Sequence, residues 1–246
     1  EGRLAAHLPR TRPFSLQALR AMMKTHDSIY VKPRHGSVGK GVLHAKKLSG
    51  GLWRIRYGGG SRKLRPGAAC AAIVRIARGR PHIVQQGIPL ARYRGRPFDF
   101  RVTVQRGGGG AWQVTGMFGK VAKAGRHVTN LARGGTAMKP EPLLASCFSH
   151  PKDVKAEIER VALAAAQRTA EKLPGIADLG LDIGVDAKGH PYIIEINFRD
   201  QRYGFAKAKM MRTLYAVYET PVRYAKRLAE SGSSLRSGTV RPNLVQ

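Results

Sequence analysis

Apolar and polar residues alternate with a period of two through Gly180–Asn197, GLDIGVDAKGHPYIIEIN, which predicts two paired β-strands. Leu181, Ile183 and Val185 share one face of the first strand, and pairing sets Tyr192, Ile194 and Ile196 of the second beside them. The opposite face takes Asp182, Gly184 and Asp186 together with Glu195 and Asn197. A four-residue loop, Ala187–His190, pairs Asp186 with Pro191 and therefore Asp182 with Glu195.

The same period marks other strands: DSIYVKP, GVLHAKKL, LWRIRYG and HIVQQGI, and the pair FDFRVTVQR and AWQVTGMFG across the glycine turn 107–110. Helical spacing appears in RPFSLQALRAMMKTH, with Ser15 as N-cap, and in GAACAAIVRIARG. It is clearest in PKDVKAEIERVALAAAQRTAEKL, where Val154, Ile158, Val161 and Ala165 form an apolar stripe and Pro174–Gly175 supply the stop. A last helix, from KAKMM to AKRLAES, is expected to break at Pro221. Hairpins mixed with helices predict an α+β fold in two lobes. The expected boundaries are 1–87, 88–230 and a Ser/Gly-rich flexible tail at 231–246, with the connector near Gln85–Leu90.

Charge changes this picture. The 246 residues carry a net +29, of which residues 1–140 hold 28 Lys/Arg against Glu1, Asp27 and Asp99. That imbalance points to an anionic partner such as a nucleotide or an acidic polymer. Nucleic acid is disfavoured because neither an RNP-type aromatic signature nor zinc-finger spacing occurs. No run of about 18 apolar residues exists to span a membrane. Cys70 and Cys147 have no metal-binding spacing, which suits a reducing compartment. The chain begins at Glu1 rather than Met, as a fragment would.

Two stretches carry candidate chemistry. YVKPRHGSVGKGV lacks P-loop spacing, and strands on both sides deny it a helix dipole. Backbone N–H groups of the hairpin tip can still cradle phosphate, helped by Ser37 and Lys40, with Gly36, Gly39 and Gly41 letting the backbone approach closely and Lys32 at the strand end as a point charge. Opposed carboxylates at Asp182 and Glu195 repel unless a cation lies between them. With the amide oxygen of Asn197 they form a hard-oxygen set suited to Mg²⁺.

Lys32 in VKP before a Gly/Ser loop, together with Asp182 followed thirteen residues later by Glu195-x-Asn197, resembles the ATP-grasp superfamily of carboxylate–amine ligases. The set LPRTRPFS, YVKPRHGSVGKGV, IVQQGIPLA, RPFDFRV and VTNLARGG is most similar to the YheC/YheD family of spore-coat-associated ATP-grasp proteins. The resemblance implies two lobes with ATP in the cleft between them. Lys32, Gly36, Ser37 and Gly39 would meet phosphates, and Gln85, Gln86 and Ile88 would form the connector that reads adenine. Arg101 would hold phosphates or an acyl phosphate, with Lys120 and Asn130 in the same cleft. Asp182, Glu195 and Asn197 would bind one or two Mg²⁺.

Catalytic roles accordingly fall to Arg101 and Lys32. The implied partners are ATP, an anionic peptide or polymer, and components of the spore coat. The implied location is the cytoplasm or the coat of an endospore-forming bacterium. The family's Pro-Gly after Glu-x-Asn is replaced here by FRDQRYGF, so the acceptor does not carry over. An enzyme is weighed against a non-catalytic basic coat or binding protein that retains the fold.

Overall fold

The computed structural model describes residues 2–35, 41–126, 128–198 and 202–230. The expected glycine tip at Gly36, Ser37 and Gly39 and the expected tail from Ser231 lie outside the described residues. The chain forms two compact units. Among the described residues, one runs from Pro9 to Ile88, and the other takes residues 2–8 and 89–230. The opening turn α1 (Gly2–Ala5) thus belongs with the later unit, not with the strands that follow it.

The Pro9–Ile88 unit contains β1 (Thr11–Pro13), α2 (Leu16–Thr25), β2 (Ser28–Pro33), β3 (Leu43–Lys47), β4 (Trp53–Tyr57), β5 (Gly60–Leu64), α3 (Pro66–Ala77) and β6 (His82–Gln86). Its sheet has the order β1-β6-β2-β3-β4-β5, and every pairing is antiparallel. Ser15 caps α2, its side chain accepting from the Ala18 N–H at 3.0 Å. Alternation then divides the sheet. Ile29, Val31, Leu43, Ala45, Trp53, Ile55 and Val84 pack under Leu19, Met22 and Ile73 of the helices. The other face is polar. β1 and β5 have no apolar period and were not expected from the pattern.

The second unit is built on β7 (Arg92–Tyr93), β8 (Arg96–Arg106), β9 (Trp112–Val121), β10 (Thr136–Met138), β11 (Asp178–Val185) and β12 (Pro191–Asn197). The order is β10-β9-β8-β11-β12, with β7 paired to β8. Helices α4 (Pro140–Cys147), α5 (Pro151–Lys172), α6 (Tyr203–Lys207) and α7 (Met211–Glu230) complete it. One sheet face buries Phe98, Phe100, Val102, Leu181 and Ile183 against Leu143 of α4 and Ile158 and Val161 of α5. On the other face, Phe118 packs with Phe205 of α6 and Val217 of α7.

Two expectations are corrected. First, Val185 rather than Asp186 opposes Pro191, and Ile193, not Ile194, shares the core with Ile183. The loop is one residue longer than expected, Asp186–His190. Asp186 Oδ1 accepts from the backbone N–H groups of Lys188 and His190, at 2.9 and 3.0 Å, while Gly189 adopts φ 85°. A β-bulge after Asp182 absorbs Ile194 and restores the Asp182–Glu195 pair that the sequence predicted. Second, α7 runs through Pro221 without a break. Proline supplies no N–H to the Val217 carbonyl, four residues earlier. The side chain of Gln105, fully buried, donates to that carbonyl at 2.9 Å instead.

Candidate functional site

On the face of the second sheet away from α5, strand register builds a small lattice of charge. Lys120 on β9 opposes Asp99 on β8, and Asp99 opposes Gly184 on β11. One step along, Phe118 opposes Arg101, Arg101 opposes Asp182, and Asp182 opposes Glu195 on β12. Asn197 follows, opposite Gly180. Alternation puts these groups on one face because the intervening residues, Phe98, Phe100, Leu181 and Ile183, are needed in the core.

Four of these groups form a buried quartet. The Arg101 guanidinium donates to both oxygens of Asp182, Nε to Oδ1 at 2.7 Å and Nη2 to Oδ2 at 3.2 Å. Lys120 Nζ lies 2.8 Å from Asp182 Oδ1 and 3.3 Å from Asp99 Oδ1. The Thr129 hydroxyl donates to Asp99 Oδ2 at 2.6 Å. Burial raises the cost of charge on both acids, but the outcomes differ. At Asp182 the Lys120 and Arg101 cations outweigh burial and hold the carboxyl down to about 2. At Asp99 burial wins, reinforced by the Asp182 charge and opposed by Lys120, so its carboxyl is raised. Burial works against the Lys120 ammonium, but Asp182 and Asp99 more than offset it and raise its pKa.

A cavity of about 30 Å³, room for one water, opens beside the quartet and is lined by Arg101, Phe118, Lys120, Asn130, Leu131, Asp182 and Tyr203. The structure thus brings Arg101, Lys120, Asn130 and Asp182 together. The Asn130 side chain also caps a short turn, accepting from the Ala132 N–H at 2.8 Å. Asp99, Thr129 and Tyr203 were missed as site residues. Asp99 and Thr129 stand inside FDFRV and VTNLARGG, two of the stretches that carried the resemblance.

Asp182 differs from the expectation that it faces Glu195 across a metal. Its carboxylate is already an ion-pair partner, which removes the need for a cation to relieve repulsion. Among the described residues, no three His, Cys, Asp or Glu side chains cluster as a metal site. The wider donor set still fits Mg²⁺. Glu195 is exposed beside Asp182, and a buried amide atom of Asn197, Nδ2, has no hydrogen-bond partner among the described residues. The amide can therefore turn its oxygen to a cation without breaking a bond at that atom.

In the Pro9–Ile88 unit, Lys32 Nζ donates to Gln85 Oε1 at 2.6 Å, and Gln85 Nε2 donates to Thr11 Oγ1 at 3.0 Å. Lys32 also lies 5.8 Å from the centre of the Tyr30 ring. Gln86 turns the other way, its side chain accepting from the Arg10 N–H at 3.2 Å, and Ile88 ends the unit.

A family model described as YheC/D-like ATP-grasp matches residues 1–228. The endospore coat-associated protein YheD of Bacillus subtilis (strain 168) is 25% identical over 240 residues, covering 90% of this chain and 52% of that protein. The chain therefore spans about half the length of this relative. Among solved structures, D-cycloserine synthetase DcsG superposes with a TM-score of 0.54 at 18% identity, over 93% of this chain and 67% of the other. The ATP-grasp ligase PsnB, complexed with minimal precursor, Mg and ADP, gives 0.51 at 18% identity, over 91% and 57%. At such identity these two show the fold, which is ATP-grasp. The match over residues 1–228 places the chain in the YheC/D-like ATP-grasp family.

Proposed function

We propose that this chain binds ATP with Mg²⁺ and joins a carboxylate to an amine, with a peptide or acidic polymer as substrate. The observation that carries this reading is the Arg101–Asp182–Lys120–Asp99 quartet beside Glu195 and Asn197, within a chain matched along almost its whole length by an ATP-grasp family. Asp182, Glu195 and Asn197 would hold Mg²⁺, which when bound neutralises charge on the phosphates. Arg101 and Lys120, fixed in place by Asp182 and Asp99, line the cavity where an anionic group would meet them. Asn130 lines the same cavity. Lys32 would meet phosphate, with Gly36, Ser37 and Gly39 beside it, and Gln85, Gln86 and Ile88 would take the adenine.

The substrate carboxylate oxygen bonds to the γ-phosphorus as the bond to ADP breaks. The amine nitrogen then attacks the acyl carbon, loses a proton, and phosphate leaves. Asp99 and Thr129 act through Lys120, fixing the position of its ammonium.

The test is calorimetric ATP binding with and without Mg²⁺, followed by assay of ADP and phosphate release with candidate acids and amines. Mg²⁺-dependent binding is expected, weakened at least tenfold by Lys32→Ala and by Glu195→Gln. Absence of ATP binding by the folded protein removes the proposal.

A second reading is favoured by the net charge of +29 and by the full engagement of Asp182 with cations. It makes the chain a non-catalytic binding protein of the coat, in line with the name of its B. subtilis relative. That reading requires Glu195→Gln to leave function unchanged.

A further inference from the structure

Between Pro9 and Ile88 the chain carries seventeen Lys and Arg and one acid, Asp27. Asp27 is exposed and lies 3.8 Å from Lys47. The other basic residues of strands β3 to β5 fall where strand register dictates. Lys46 on β3 opposes Arg54 on β4, and Arg54 opposes Lys63 on β5. In the next row His44 opposes Arg56, and Arg56 opposes Ser61. Their neighbours along the strands, Ala45, Trp53 and Ile55, are buried under the helices, so all four cations share the uncovered face. Adjacent strands lie about 4.8 Å apart, which sets three cations in one short row. Lys46 and Lys63 are exposed, and Arg54 and Arg56 are half-buried.

We infer that this open face, around Lys46, Arg54, Arg56 and Lys63, docks an acidic polypeptide through a run of Glu or Asp side chains. Charge complementarity supplies the attraction, since no acidic side chain shares these rows. The half-buried guanidinium groups of Arg54 and Arg56 suit bidentate pairing with carboxylates. Single-stranded nucleic acid on an open sheet requires exposed rings on which bases stack. The rings on this face do not offer that: Tyr30 and His44 stack on each other with centroids 4.6 Å apart, and His44 is buried. The surface rests on the ligase reading only for the idea that the docked carboxylates are substrate. Docking itself is measured without nucleotide, so its failure and the failure of ATP binding are separate results.

The experiment is fluorescence anisotropy of a labelled Glu-rich decapeptide with the full chain. The variant Lys46→Glu/Arg54→Glu/Lys63→Glu is compared with Arg20→Glu/Arg75→Glu/Arg78→Glu, which changes net charge equally at exposed positions in and just after α2 and α3. The first is expected to weaken binding at least tenfold and to flatten its salt dependence; the second is expected to stay within about twofold of the parent. A neutral variant, Lys46→Gln/Arg54→Gln/Lys63→Gln, avoids any misfolding from charge reversal and should show an intermediate loss. Equal losses in the two reversed variants overturn the inference, because net charge alone would then explain binding. So do absence of binding by the parent chain and tighter binding of a uridine oligomer of matched charge.

Discussion

Asp182 is held by two cations, Arg101 and Lys120, in a buried setting. Asp182→Asn leaves both of them buried with one acid fewer, at a cost of about 3–5 kcal/mol in urea unfolding. Asp99→Asn removes a carboxyl that burial already disfavours, keeps an oxygen for Thr129, and leaves Lys120 paired to Asp182. Its cost is expected to be under half as large. The face that Asp182 takes was legible from alternation along its own strand, but its place opposite Glu195 depends on a longer loop and a bulge that compensate each other. Its ion pairs were not legible, because Arg101 lies 81 residues away on a strand whose register no local pattern fixes.

The two acids also differ in sign with pH. Asp182 is held at about 2, below its ordinary value of 3.8, so its stabilisation is fully present above pH 4 and fades as pH falls toward 2. The difference corresponds to roughly 2 kcal/mol. Asp99 is raised, so its ionisation opposes folding at neutral pH, and that penalty is relieved as pH falls through its folded value. Acid titrations of stability should therefore become shallower between pH 4 and 2 in Asp182→Asn, leaving the part that Glu157, held low by its hydrogen bond from Arg160, contributes. In Asp99→Asn the slope should persist. An unchanged slope in Asp182→Asn would contradict this assignment.

At the scale of elements, strands and helices with strong periods were legible, and irregularities were not. The bulge in β12 leaves no compositional mark, since Ile193 and Ile194 are both apolar and either one satisfies the pattern. Strands β1 and β5 are exposed edges of their sheet, with no apolar alternation to betray them. Pro221 gave a clear signal of the wrong kind. A proline inside a helix usually costs about 3 kcal/mol through a lost hydrogen bond and a clash. Here the lost bond is replaced from another element, by Gln105 of β8 donating to the Val217 carbonyl.

This substitution of partners is testable as a cycle. Gln105→Leu strips the carbonyl of its donor in a buried setting and should destabilise by about 1–3 kcal/mol. In that background Pro221→Ala restores the helical N–H and should recover most of the loss. The recovery should exceed the effect of Pro221→Ala in the parent chain, a coupling readable from four unfolding curves. Strict additivity of the two substitutions would mean that Gln105 does not stand in for the missing bond.

Over the whole molecule, charge is divided as unevenly as the fold. The Pro9–Ile88 unit has a net +16, while the described and flanking remainder, residues 1–8 and 89–230, has twenty-five Lys/Arg against fourteen acids. The second unit holds one compensated quartet out of water, Arg101, Asp182, Lys120 and Asp99, whose attraction dissolved salt barely screens. The first exposes like charges on one sheet face, where self-repulsion acts through solvent and is screened within about 10 Å at 0.1 M salt. Added sodium chloride should therefore stabilise the two units unequally. Amide exchange read by mass spectrometry separates them, because β2–β6 and β8–β11 yield distinct peptides. Raising salt from about 20 to 300 mM should slow exchange in β2, β3, β4 and β6 by several-fold, while peptides of β8 and β11 change little. Lys46→Gln/Arg54→Gln/Lys63→Gln removes three charges from the repulsive face and should shrink the salt effect in β3 and β4 without touching β8. Uniform slowing across both units would show that repulsion is shared by the whole chain rather than concentrated where the register of β3, β4 and β5 places it.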